Sequence, residues 1–117
     1  MLIKICGIQN EETLICCEKN NIDFFGMIFY PKSPRNISIE SARILQKKSK
    51  YLNINGVGVF VNKAINELEE IIKNLELKFI QLHGSEDNKY IQTLKKIEIK
   101  IIKSISISSE NDLKKIH

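Results

Sequence analysis

Four places in this chain carry residue types suited to chemistry. Cys6 ends a short apolar run, Leu2 to Cys6, and is followed by Gly7 and the polar stretch Gln9-Asn10-Glu11-Glu12. That order reads as strand, sharp turn and helix start, with a thiol at the carboxyl end of a strand. A helix N-terminus nearby favours anions, a thiolate among them. The other reading of Cys6 is a small buried hydrophobe, the usual state of a free cysteine. Arg35 closes the loop Tyr30-Pro31-Lys32-Ser33-Pro34-Arg35, in a chain whose basic residues are otherwise lysine apart from Arg43. An arginine held in a proline-stiffened loop suits bidentate recognition of a carboxylate or phosphate. The competing reading is an exposed loop residue. Asn62 follows the apolar stretch ending at Val61, and His83 lies in Gln81-Leu82-His83-Gly84. An imidazole there serves a site, or simply bonds to turn backbone.

These residues need elements to position them, and the chain alternates strand and helix along its length. Leu2–Cys6 reads as strand one and Glu11–Asn20 as helix one. Phe24–Phe29 is a continuous apolar run, as in a strand buried on both faces. The two prolines of the next loop exclude helix and central strand. Ser38, with Ser41 as the second choice, reads as the N-cap of helix two, Ile39–Lys48. Asn55–Val61 is strand three, and Asn62 can cap helix three, Lys63–Leu75, whose Ile65, Leu68, Ile71, Ile72 and Leu75 share one face. Leu77–Leu82 is strand four, with Ser85 as cap of helix four, Glu86–Lys95. Ile99–Ile105 is strand five, and Ser108 or Ser109 caps the start of a last helix. Right-handed βα units in series build either an open doubly wound sheet or a closed eight-stranded barrel. In both, the strand-to-helix turns gather at the carboxyl ends of the strands, so Cys6, Arg35, Asn62 and His83 are expected on one side.

The bulk numbers narrow the function classes. The 117 residues suit one domain with a sizeable core. A net charge of +4 is spread over lysines separated by glutamates and isoleucines, without a basic block or interleaved aromatics, so no nucleic-acid partner is expected. The apolar run Phe24 to Tyr30 is far short of the ~20 residues of a membrane span, and no signal peptide is visible. The cysteines Cys6, Cys16 and Cys17 form no C-x-x-C pair and no zinc-ligand spacing, which points to reduced thiols in the cytoplasm. Gly56-Val57-Gly58 lies within a strand and lacks the third glycine of a dinucleotide fingerprint. Walker A, H-E-x-x-H, EF-hand and G-x-S-x-G patterns are missing.

Lys4-Ile5-Cys6-Gly7-Ile8, the stretch Gly26-Met27-Ile28-Phe29-Tyr30-Pro31-Lys32-Ser33-Pro34-Arg35, then Gly58-Val59-Phe60-Val61-Asn62 and Gln81-Leu82-His83-Gly84 together resemble phosphoribosylanthranilate isomerase of tryptophan biosynthesis. Ile102-Lys103-Ser104-Ile105 is similar to that family's fifth strand, and the resemblance runs the length of the chain. It implies a (β/α)8 TIM barrel, here an incomplete one of about four βα units plus a fifth strand and the start of its helix. It implies an Amadori rearrangement of N-(5-phosphoribosyl)anthranilate, a phosphorylated sugar-anthranilate, with no metal or organic cofactor. Carried over by position, Cys6 matches the general base and Arg35 the arginine that engages the anthranilate carboxylate. His83 matches a residue lining the substrate pocket. A thiol poised near ambient pH suits a general base.

The resemblance also implies a general acid, an aspartate after strand six, and a glycine-rich phosphate site after strands seven and eight. Asp112 is not their equivalent, because it falls in the opening turn of the last helix. The base and anthranilate side of the site is thus expected within these residues. Isolated residues 1–117 are expected to be inactive and to associate through strands one and five, with self-association or a complementing C-terminal half-barrel closing the barrel. Their inner faces are expected to include Ile3, Ile5 or their neighbours. Cys16 and Cys17, on helix one away from the turns, are expected to matter little for turnover. The rival readings are a non-catalytic half-barrel or binding module completed by a partner chain, and a neighbouring phosphate-binding barrel such as indole-glycerol-phosphate synthase. The latter relies on lysine and glutamate and would not require a thiol after strand one.

Overall fold

The computed structural model of the chain describes residues 2–103. Five strands alternate with four helices: β1 (Lys4–Ile5), α1 (Glu11–Lys19), β2 (Phe24–Phe29), α2 (Ile39–Leu52), β3 (Asn55–Phe60), α3 (Ile65–Leu75), β4 (Phe79–Leu82), α4 (Asn88–Leu94) and β5 (Lys100–Lys103). All neighbouring strands are parallel, and their spatial order is their chain order, β1-β2-β3-β4-β5. A doubly wound sheet reverses its order at a switch point, and no reversal occurs here. Every crossover therefore runs the same way and lays its helix on the same side, which is the winding of a (β/α) barrel.

Strand alternation then divides the side chains between two faces. Phe25, Met27 and Phe29 of β2, Phe60 of β3, and Ile80 and Leu82 of β4 point to the helices. They join Leu14 and Cys17 of α1, Leu45 of α2, Leu68, Ile72 and Leu75 of α3 and Leu94 of α4 in one continuous core. Complete burial of each large side chain contributes ~1.5–3 kcal/mol, so this layer supplies most of the driving force. The expected apolar face of α3 is the face that packs, with Ile65 and Ile71 at its margin.

Several boundaries differ from the sequence reading, each for a local reason. Strand β1 is only Lys4–Ile5, because Gly7 turns the chain away at φ +78°. Helix α2 begins behind Ser38 as read, but runs past Lys48 to Leu52 and stops where Asn53 takes a left-handed conformation at φ 56°. Asn62 does not cap α3: it sits at φ 47°, and α3 starts behind Ala64 with no side-chain cap. Asn62 bonds across to the next turn instead, its Oδ1 accepting the Ser85 N–H at 2.9 Å. Ser85 is thereby withdrawn from α4, whose cap is Asp87, accepting the Tyr90 N–H at 2.8 Å. Leu77 is buried but belongs to the α3–β4 turn, and β4 starts at Phe79. Strand β3 ends at Phe60, one residue before Val61. Of the two cysteines of α1, Cys17 is 7% exposed within the core and Cys16 is exposed, both away from the strand-to-helix turns. The readings at Ile105, Ser108, Ser109 and Asp112 lie outside the described residues.

Candidate active site

The inner face of the sheet is apolar in its middle, where Ile28, Val57 and Val59 are buried. It is aromatic at the amino end, where the Phe24 and Phe79 rings meet edge-on at 5.1 Å. Polar side chains appear at its carboxyl end. From β1 the residues on this face are Lys4 and Cys6; Ile3 and Ile5 alternate to the other side and are about two-fifths exposed. A cavity of about 470 Å³ opens here, lined by Lys4, Cys6, Ile28, Tyr30, Ser33, Arg35, Val59, Val61, Gln81 and His83. The three predicted site residues, Cys6, Arg35 and His83, therefore share one cavity. Asn62, the fourth singled out by sequence, is spent on the loop beside it.

Glycines make the space for Cys6 and Arg35. Gly26 of β2 lies beside Cys6, and a Cβ there would sit 2.7 Å from the Cys6 sulfur and 3.1 Å from its Cα. Gly7 has a positive φ and lies under the Arg35 side chain; a Cβ would come within 2.6 Å of the Arg35 Cδ. Any larger residue at either position displaces the thiol or the guanidinium.

The Arg35 loop is a series of folded-back turns rather than an open strap. Tyr30 C=O accepts the Ser33 N–H at 2.9 Å, Ser33 C=O accepts the Asn36 N–H at 3.1 Å, and Ile37 N–H returns to Ile28 C=O at 2.9 Å. Ser33 Oγ also accepts the Arg35 N–H at 3.1 Å, and Gln9 Nε2 donates to Asn36 C=O at 3.3 Å. Arg35 Nη1 then donates to the Cys6 carbonyl at 3.4 Å. The guanidinium is exposed and keeps its remaining N–H groups at the mouth of the cavity.

His83 is placed by its backbone, which donates to Phe60 C=O at 2.9 Å. The turn that follows is clasped by Glu86, whose carboxylate accepts Asn62 N–H at 2.9 Å and Gly84 N–H at 3.0 Å. Behind it Tyr90 donates its hydroxyl to Lys63 C=O at 2.7 Å. Burial, with the Glu86 charge as a smaller contribution, pushes the Tyr90 phenol up to about 12.

The polar partner at the Cys6 sulfur is Lys4. Its Nζ lies 3.7 Å from the sulfur and also donates to Gln81 Oε1. Helix α1 starts only at Glu11, and its first turn is capped by Asn10, which accepts the Thr13 N–H at 2.9 Å. Sequence reading quoted Lys4 and Gln81 inside motifs without giving them a role. The signal was present: Lys4 is two residues from Cys6, and Gln81 two from His83, so strand alternation puts each pair on one face. Among the described residues no three His, Cys, Asp or Glu side chains gather as a metal site, and no helix is long and apolar enough to cross a membrane.

A parallel sheet wound in one direction defines the class, a (β/α)-barrel protein, and here a cavity lined by a thiol, a guanidinium and an imidazole opens at the carboxyl ends of its strands. The family model for N-(5'-phosphoribosyl)anthranilate (PRA) isomerase matches residues 3–117, and the chain belongs to that family. The N-(5'-phosphoribosyl)anthranilate isomerase of Trichodesmium erythraeum is 42% identical over 119 residues, covering 98% of this chain and 51% of that protein. The crystal structure of phosphoribosyl anthranilate isomerase from Thermotoga maritima superposes with a TM-score of 0.90 at 34% identity, over 98% of this chain and 56% of that one. A second isomerase structure, in complex with reduced 1-(o-carboxyphenylamino)-1-deoxyribulose 5-phosphate, matches with the same TM-score and identity, over 98% of this chain and 59% of that one. The chain spans about half the length of the curated relatives it matches.

Proposed function

We propose that the protein carrying this chain is a phosphoribosylanthranilate isomerase acting in tryptophan biosynthesis in the cytoplasm. These residues supply the base and anthranilate side of one (β/α)8 barrel domain. The observation that carries the reading is the meeting of Cys6 and Arg35 on one cavity at the carboxyl ends of β1 and β2. In the reaction, a general acid protonates the furanose oxygen. The ring C–O bond breaks with its electron pair going to that oxygen, while the anilino nitrogen lone pair forms a C=N bond. Cys6, as thiolate, takes the C2′ proton. The C–H pair becomes the C1′–C2′ double bond, and the C=N π pair returns to nitrogen. Moving the enol proton to C1′ yields the ketone, so atoms and charge balance without a cofactor.

Arg35 holds the anthranilate carboxylate over the thiol, and His83 borders the substrate. The general acid and the phosphate ligands come from strands beyond the five described, since closure of such a barrel needs three more. Among the described residues β1 and β5 are each paired on one side only. The remaining strands come from the same polypeptide, from a complementing chain or from a second copy.

The test is turnover of N-(5-phosphoribosyl)anthranilate, followed by fluorescence, in the full-length gene product that carries these residues. Cys6→Ser is expected to lower kcat by roughly 10² to 10⁴, the usual value of a positioned general base. Arg35→Lys should raise KM more than it lowers kcat, because lysine keeps the charge and loses the fork. Absent turnover in the unmodified protein, or unchanged turnover in Cys6→Ser, overturns the reading.

A further inference from the structure

Lys4 is a cation on the inner face of a barrel strand, half-buried. Burial of an ammonium is costly unless its donors and its charge are matched. Among the described residues no carboxylate lines the cavity around it, and its partners are the Gln81 amide oxygen and the Cys6 sulfur. The other nearby cation, Arg35, is bonded to the Cys6 carbonyl rather than to its sulfur. An amide oxygen accepts a hydrogen bond but carries no net charge, so the sulfur is the one group of the two that can neutralise Lys4.

We propose that Lys4 is a positioning residue for Cys6: anchored by Gln81, its ammonium is the charge partner of the Cys6 thiolate and aims the sulfur into the cavity. This goes beyond the isomerase reading and, where it concerns turnover, rests on it. The pair sits on one strand at positions i and i+2, so β1 delivers both groups rigidly. Gln81, on β4, reaches across the inner face to fix the lysine from the opposite side. Gly26 lies beside the thiol on β2 and leaves the sulfur the room it occupies.

The experiment reads thiol reactivity directly, so it does not depend on isomerase activity. The folded full-length protein is alkylated at pH 7 with iodoacetamide and, separately, with the anionic iodoacetate, and Cys6 and the exposed Cys16 are quantified by peptide mass spectrometry. In Lys4→Met, Cys6 alkylation by iodoacetamide should fall about tenfold, and the preference of Cys6 for iodoacetate should fall with it, while Cys16 is unchanged. Lys4→Arg should keep most of the Cys6 rate, and Gln81→Met, which frees the ammonium without removing it, should fall between. If Lys4→Met does not fold, the graded pair of Lys4→Arg and Gln81→Met carries the test. Turnover is measured on the same preparations: kcat should drop in Lys4→Met with KM little changed. Cys6 rates equal to those of the unmodified protein in Lys4→Met, or in Gln81→Met where that is the test variant, overturn the proposal. Slowed alkylation with isomerase turnover untouched in both Lys4→Met and Cys6→Ser leaves the charge pair standing and overturns the base assignment instead.

Discussion

On the helix side of β2, Phe25, Met27 and Phe29 are packed into the core; on the inner side, Phe24, Gly26 and Ile28 alternate with them along the same six residues. The contrast extends across the sheet. The helix side is apolar along β2, β3 and β4, whereas the inner side carries Lys4, Cys6, Gln81 and His83 at its carboxyl end. One face is committed to stability, and its residues are interchangeable with others of similar size. The other tolerates cations, a thiol and the tightly placed Gly26, each a local cost that the helix-side core offsets. Mutations on the two faces should therefore separate: inner-face changes act on turnover, and helix-side changes on folding.

The sharpest break of that comparison is Gly26→Ala, an apolar inner-face change with no charge involved. Its Cβ pushes the Cys6 sulfur away, and displacing the proposed base by about 1 Å costs up to ~10² in rate. Under the proposed isomerase reading, the full-length protein should keep its KM and lose kcat by about 10- to 100-fold. Steady-state kinetics beside a circular-dichroism melt would show whether stability falls instead, which would place Gly26 on the packing side. On the helix side, Leu68→Ala removes a fully buried side chain and should cost about 2–5 kcal/mol in urea unfolding with kcat retained in the folded fraction.

Adjacent cysteines provide a smaller and more local contrast. Burial raises the Cys17 thiol above its ordinary range, the Cys16 charge adding to this, so it stays a neutral packing group. Cys17→Ser buries a hydroxyl in the core and should destabilise by about 1–3 kcal/mol, whereas Cys16→Ser should stay within about 0.5 kcal/mol. Equal effects in chemical denaturation would remove the distinction.

The smallest expected effect lies at high pH. The Tyr90 phenol titrates at about 12 in the fold and near 10 in an unfolded chain, so the native state holds the extra proton between those values. Its contribution is intact below pH 10 and is lost as pH rises from 10 to 12. Tyr90→Phe should flatten that stretch of the stability curve, measured by urea unfolding across the window, while lowering stability at neutral pH by about 1 kcal/mol for the lost hydrogen bond to Lys63.

The elements were largely legible in the chain because their signals are local. The apolar run Phe24–Phe29, the Ser38 cap and the apolar stripe of α3 are patterns of period two or 3.6, and a short window contains all the needed information. So was the grouping of Cys6, Arg35 and His83, since strand-to-helix turns of serial βα units share a face whatever the sheet order. Local patterning alone did not decide between an open sheet and the barrel winding that the family resemblance implied; that depends on which strands pair, and parallel pairing is made across twenty or more residues. Nor could it place Asn62 and Ser85, whose capping preferences are real but weaker than the bond between their two loops. Only the tertiary structure brought Gln81 to Lys4. That contact joins β4 to β1 across 77 positions of chain, and no local propensity encodes a distance of that kind.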